Sequence, residues 1–103
     1  MNTQFKKGIL ELCILKLINK NDLSGYQLLE ELSQYLEVSV NTVYPILRRL
    51  TNDGVLETYE NYDNNRKRKI YTFSKLGLDF YQKLYEEWKK FNSNVERLLL
   101  RED

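Results

Sequence analysis

Three observations predict an α+β fold, mainly helical with one small β-hairpin. Apolar residues recur at helical spacing in four separate stretches. Residues 55–62 and 69–73 alternate as strands do, on either side of an asparagine turn. The final stretch, residues 74–100, is too long to be buried by a body made from the rest.

The chain of 103 residues has material for one core and little more. Apolar residues make up 42 % and aromatic residues 13 %, which excludes a disordered chain. Sixteen basic residues against fifteen acidic give a net charge of +1, so the sum names no partner. The distribution does more: Arg66, Lys67, Arg68 and Lys69 form a cationic run, while Glu30, Glu31, Glu86 and Glu87 lie elsewhere. With no histidine, the commonest general base and metal ligand is missing. The single Cys13 excludes an internal disulfide and a cysteine metal cluster, and reads as a small core residue. With no glycine-rich phosphate loop or paired carboxylates in a glycine-bounded turn either, an enzyme is disfavoured and no cofactor or metal is implied. No apolar run reaches membrane-spanning length and the first residues, Met-Asn-Thr-Gln-Phe-Lys-Lys, carry no signal-peptide pattern. The expected location is cytoplasmic.

The first helix, Phe5 to Asn19, is apolar almost all round, at Phe5, Ile9, Leu10, Leu12, Cys13, Ile14, Leu15, Leu17 and Ile18. Such a helix needs cover on two sides, and in so short a chain the second cover points to a partner subunit. Ser24 is placed to cap a second helix whose buried stripe is Leu28, Leu29, Leu32, Tyr35 and Leu36. Ser24-Gly25 at its positive end is either a plain helix start or a phosphate seat.

The third helix lies within Ser39–Leu50, with Val40, Val43, Leu47 and Leu50 facing inward. Asn41, Tyr44, Pro45 and Arg48 face outward with an amide, a phenol and a guanidinium, groups able to hydrogen-bond base edges and phosphates. This is the candidate recognition helix of a helix-turn-helix. Pro45 is disfavoured in a helix interior, so the regular helix is expected to begin with Thr42 as N-cap and Pro45 as its third residue. Asp53-Gly54 ends it. Strands Val55–Tyr62 and Lys69–Phe73 follow, joined at Asp63-Asn64-Asn65, where asparagine tolerates a left-handed backbone. Three helices followed by two strands make a winged helix, with the basic run at the wing.

The last helix, Ser74 to about Leu100, has apolar residues at Leu76, Phe80, Leu84, Trp88, Phe91, Val95 and Leu98. It would be about 40 Å long, so Trp88, Phe91, Val95, Leu98 and Leu99 need a partner. The organisation is therefore a winged helix-turn-helix over residues 1–73 and a dimerisation helix over residues 74–103. The expected dimer contacts are Phe5, Ile9 and Leu12 together with Trp88, Phe91, Val95, Leu98 and Leu99. The candidate DNA contacts are Asn41, Thr42, Tyr44, Arg48 and Arg49 on the helix and Arg66, Lys67, Arg68 and Lys69 on the wing. A protein-interaction module without DNA readout is the rival, and it predicts no salt-dependent DNA binding.

Three stretches carry a resemblance. They are Ser24-Gly25-Tyr26-Gln27-Leu28-Leu29, then Asn41-Thr42-Val43-Tyr44-Pro45-Ile46-Leu47-Arg48-Arg49-Leu50 with Asp53-Gly54, and Arg66-Lys67-Arg68-Lys69-Ile70-Tyr71-Thr72-Phe73-Ser74 leading to Gly77. In order and spacing the chain resembles PadR-type transcriptional regulators over nearly its whole length. The resemblance implies a homodimeric winged-helix repressor on a palindromic operator, with the first and last helices at the dimer interface and Thr42 and Tyr44 as recognition-helix contacts. The single terminal helix is similar to the short-tailed branch, some members of which hold planar aromatic drugs between subunits against a tryptophan. Trp88 occupies the matching position, with Leu84 and Asn92 one turn to either side. It either sandwiches such a ligand with its symmetry mate or packs the dimer core. Two departures stand out: Asn64-Asn65 replaces the usual wing glycine, and Asn41 stands where a small residue precedes the motif threonine.

Overall fold

The structure, a computed structural model, describes residues 3–103, with side chains from Gly8 onward. Its elements are α1 (Thr3–Lys20), β1 (Leu23–Ser24), α2 (Gly25–Leu32), α3 (Val40–Asn52), β2 (Leu56–Asp63), β3 (Arg66–Phe73) and α4 (Gly77–Leu99). The strands form one antiparallel sheet in the order β1-β3-β2. The α+β winged helix-turn-helix is therefore present, with a long C-terminal helix. None of its described helices is long and apolar enough to cross a membrane.

The core is built where the periodic stripes of α1, α2 and α3 meet the start of the hairpin. Leu10, Ile14 and Leu15 of α1, Leu28 of α2, Val43, Ile46, Leu47 and Leu50 of α3, and Leu56 of β2 are sealed from solvent. Truncating one such residue to alanine removes about 2–5 kcal/mol. Cys13 is half-buried against this core rather than inside it, and burial pushes its thiol above the ordinary cysteine value.

Several boundaries differ from the sequence reading. Helix α3 is capped by Ser39, not Thr42, because the Ser39 carbonyl accepts from the backbone N–H groups of Thr42 and Val43, both at 3.1 Å. Pro45 is thus interior. It is exposed, so the bond it removes, to the Asn41 carbonyl, faces water. Val40 is exposed and Ile46 takes the inward place expected for it. Helix α2 ends at Leu32, which leaves Tyr35 81 % exposed and Leu36 outside the core instead of on a buried stripe. Strand β1 was not expected; its two residues pair with Tyr71 and Ile70.

The wing also differs. The basic run is not at its tip but forms the first half of β3, with Arg66, Lys67, Arg68 and Lys69 paired to Asp63, Tyr62, Asn61 and Glu60. The tip is Asn64-Asn65 alone, with φ of 52° and 64°. Positive φ at both central residues is the primed turn that matches strand twist, so asparagine does here what glycine commonly does. On the opposite side, the Tyr59 hydroxyl donates to Asp22 Oδ2 at 2.9 Å and ties β2 to the turn before β1.

Helix α4 starts at Gly77 rather than Ser74, because Ser74 is used by the loop beneath it. The Ser74 N–H donates to the Val55 carbonyl and its hydroxyl to the Gly54 carbonyl, at 3.0 and 2.6 Å. A Cβ on Gly77 would lie 2.6 Å from the Val55 carbonyl oxygen and 2.8 Å from Phe73 Cβ, so only glycine lets the helix seat this closely. The body holds α4 through Gly77, Tyr81 and Leu84. Leu76 and Phe80, two of the apolar positions at helical spacing, face out. At 23 residues α4 is about 34 Å long, shorter than the expected 40 Å.

Candidate nucleic-acid interface

The site is built on three elements. Helix α2 begins with a capping box: the Ser24 hydroxyl accepts from the Gln27 N–H at 3.1 Å, and Gln27 Oε1 accepts from the Ser24 N–H at 2.9 Å. This fixes the amino end of α2 against β3, since Ser24 also pairs with Ile70. Helix α3 then lays Tyr44 across that end. A Cβ on Gly25 would stand 2.7 Å from the Tyr44 hydroxyl and 2.8 Å from two ring carbons, so the glycine makes room for the ring. Strand β3 closes the third side with its basic residues.

Between them lies an open cleft of about 560 Å³ walled by Ser24, Gly25 and Tyr26, by Tyr44, and by Arg66 to Lys69 with Tyr71. A second, of about 290 Å³, continues along α3 between Tyr44, Arg48, Thr51, Asn52, Lys69 and Tyr71. The structure thus brings Tyr44, Arg48, Arg66, Lys67, Arg68 and Lys69 to one continuous surface. Lys67 pairs with Glu60 at 3.0 Å, both exposed, and half-buried Arg68 pairs with exposed Asp63 at 3.8 Å, a long contact; both carboxylates are readily exchanged for a phosphate. Among the described residues Arg48, Arg66 and Lys69 form no ion pair, so a phosphate would displace no carboxylate from them.

Of the other candidates, Thr42 and Arg49 sit apart from that surface. Thr42 lies on the far flank of α3, near the α2–α3 turn, with its hydroxyl 3.4 Å from that of Ser39. Asn41 is exposed at the helix start. Arg49 points back to α1 and pairs with Glu11, which makes it a link between helices.

Tyr71 is the residue that sequence reasoning missed. It is 7 % exposed and lines both clefts. Burial pushes its hydroxyl above the ordinary tyrosine value, neighbouring Tyr44 adds to the rise, and the Arg48 guanidinium pulls it partway back. The signal was available, since Tyr71 stands two residues from Lys69 on the same face of β3.

The expected ligand and dimer residues occupy α4 and α1. Rings of Phe73, Tyr81, Tyr85 and Trp88 follow one another at centroid spacings of 6.2, 6.3 and 6.3 Å, with Tyr85 and Trp88 within 15° of parallel. Trp88 is 38 % exposed at the end of this ladder, Leu84 is half-buried below it and Asn92 is open. Phe91, Val95, Leu98 and Leu99 are all exposed, Phe91 at 68 %, while Ile9 and Leu12 are half-buried. Phe5 lies outside the residues whose side chains are described.

Comparison with known proteins agrees with this architecture. Residues 14–83 match the transcriptional regulator PadR-like family. A transcriptional regulator of Mycobacterium tuberculosis is 33 % identical over 75 residues, spanning 72 % of this chain and 70 % of that protein. The negative transcriptional regulator PadR of Bacillus subtilis is 31 % identical over 74 residues, 67 % of this chain and 41 % of that protein. The crystal structure of a PadR-like transcriptional regulator from Bacillus cereus superposes with a TM-score of 0.85 at 30 % identity, covering 96 % of this chain and 99 % of that one. The family match spans more than half of the chain, and the chain belongs to the PadR-like family of transcriptional regulators.

Proposed function

We propose that the protein is a homodimeric repressor that occupies a palindromic operator. The observation that carries this reading is the convergence of Tyr44 and Arg48 with the cationic first half of β3 on one surface. Each subunit lays α3 in a major groove, and β3 holds the adjoining phosphates. Half-sites then lie about one helical turn, roughly 34 Å, apart. Occlusion of the promoter follows from occupancy. The name of the Bacillus subtilis relative, a negative regulator, supports repression. The open apolar side of α4 supports a dimer, since Phe91, Leu98 and Leu99 have no cover among the described residues.

Neutralising phosphates with Arg48, Arg66, Lys67, Arg68 and Lys69 makes affinity fall steeply with salt. The test is selection of bound fragments from genomic DNA, followed by mobility-shift titration at two salt concentrations. A salt-dependent, two-fold-symmetric site is the expected result. Absence of salt-dependent binding overturns the reading and favours an interaction module.

The stacked Tyr85–Trp88 pair favours a second element, release by a planar aromatic compound held between the two subunits' Trp88 rings with Leu84 and Asn92 at its edges. Quenching of the Trp88 fluorescence together with weakened DNA affinity is expected. A panel of planar aromatics producing neither result refutes the effector.

A further inference from the structure

We propose that Tyr71 is a phosphate-binding residue: its hydroxyl and that of Tyr44, flanked by Arg48 and Lys69, form a seat for one DNA backbone phosphate at the junction of α3 and the wing. The inference rests on the DNA-binding reading above and adds to it a residue and a mode of contact.

Tyr71 sits in the middle strand of the sheet, held between Leu23 of β1 and Thr58 of β2. More than nine-tenths of its surface is buried, yet its hydroxyl has no hydrogen-bond partner among the described residues. Every fully sealed polar side-chain atom among those residues does have one, so the Tyr71 hydroxyl opens into the cleft. A rigidly placed donor with no internal acceptor, facing solvent only through a cleft, is suited to an acceptor brought from outside.

The walls of that cleft specify the acceptor. Tyr44, Arg48, Lys69 and Tyr71 offer two phenol hydroxyls, a guanidinium and an ammonium, with no carboxylate among the lining residues. The Thr51 hydroxyl is already committed to the Leu47 carbonyl at 2.8 Å. A tyrosine hydroxyl, with an ordinary value of 10.0, is protonated and able to donate at neutral pH, and burial raises Tyr71 further in the same direction. A site of donors and cations takes an anion with several acceptor oxygens, which on a duplex is the phosphodiester. Tyr44 is fixed by the space above Gly25, so the two hydroxyls belong to different elements and one phosphate bridging them would tie α3 to β3.

Because a phosphate seat ignores sequence, a fluorescein-labelled 24-base-pair duplex of mixed sequence serves as probe, titrated by anisotropy between about 50 and 200 mM salt. Tyr71→Phe keeps the ring and removes only the hydroxyl. It should weaken binding about ten- to a hundredfold at every salt concentration, as expected for a hydrogen bond to a charged acceptor, with the salt slope unchanged because no charge is lost. Tyr44→Phe should act likewise, and the double variant should lose less than the product of the two, since both act on one phosphate. Lys69→Gln should instead reduce the slope by about one. Thermal melts of the tyrosine variants matching the wild type establish that the losses are not unfolding. Wild-type affinity in Tyr71→Phe overturns the seat, whereas a wild-type protein without salt-dependent binding overturns the DNA reading beneath it.

Discussion

The two ends of the chain bury apolar residues by different means. In the body, α1, α2 and α3 cover one another, and Ile14, Leu15, Leu28 and Leu47 are fully sealed. Beyond Trp88, Phe91, Leu98 and Leu99 of α4 and Leu100 at its C-cap are just as apolar, and none of the described residues buries them. The body's apolar residues hold the fold together. Those of the far half of α4 contribute nothing to it, and they gain stability only when another molecule arrives.

That contrast can be broken or sharpened by substitution. The largest effect is expected in the body: Ile14→Ala should remove about 2–5 kcal/mol in urea unfolding. A loss below 1 kcal/mol would show that the body is less tightly sealed than its geometry. Next is Gly25→Ala, where the new methyl meets the Tyr44 ring and overpacking should remove about 1–3 kcal/mol. In a Tyr44→Ala background the same change should be nearly neutral, and an additive double variant would deny the contact. On the arm, Leu98→Ser should change the unfolding free energy of a dilute monomer by less than about 0.5 kcal/mol. Sedimentation should show the loss in assembly instead, and an unchanged sedimentation profile would argue that α4 does not dimerise the protein.

The smallest effect concerns alkali. Tyr71 and Tyr81 are both raised, chiefly by burial, so the folded state keeps their protons longer than the unfolded state does. Their contribution is complete below the unfolded tyrosine value of 10.0 and is lost as pH rises through the higher folded values. Thermal melts between pH 9 and 11 should therefore fall on the alkaline side, and Tyr71→Phe should flatten that fall.

Elements that signal through their own periodicity were legible in the sequence: α1, α3, the hairpin and α4 all lie where apolar spacing placed them. Strand β1 was not, because two residues are too few to show a period and their partners lie in β3, far along the chain. Helix α3 starts earlier than the preference of proline for the first turn predicts, because Pro45 lies on the exposed face, where the hydrogen bond it removes falls to water. Within α4 the apolar residues form two faces, one at Gly77, Tyr81 and Leu84 toward the body and one through Phe80 and Phe91 toward solvent. A single stripe drawn through threes and fours merged them and passed over Tyr81. In the candidate site, charge runs revealed the cations. The face of Tyr71 could be read from its spacing to Lys69, whereas its burial depends on three strands meeting, which residue spacing does not report.

Gly77 has one further consequence. It plants α4 against the Val55 carbonyl and Phe73, at the base of the hairpin, while the far end of the helix stands about 34 Å away. The helix is thus a lever whose pivot touches the wing. A tilt of about 5° at that pivot moves its tip by about 3 Å. In the proposed dimer, a small displacement of the wing at this foot is magnified at the twin's interface, and a molecule wedged among the α4 tips has the same mechanical advantage in reverse on the spacing of the two recognition helices.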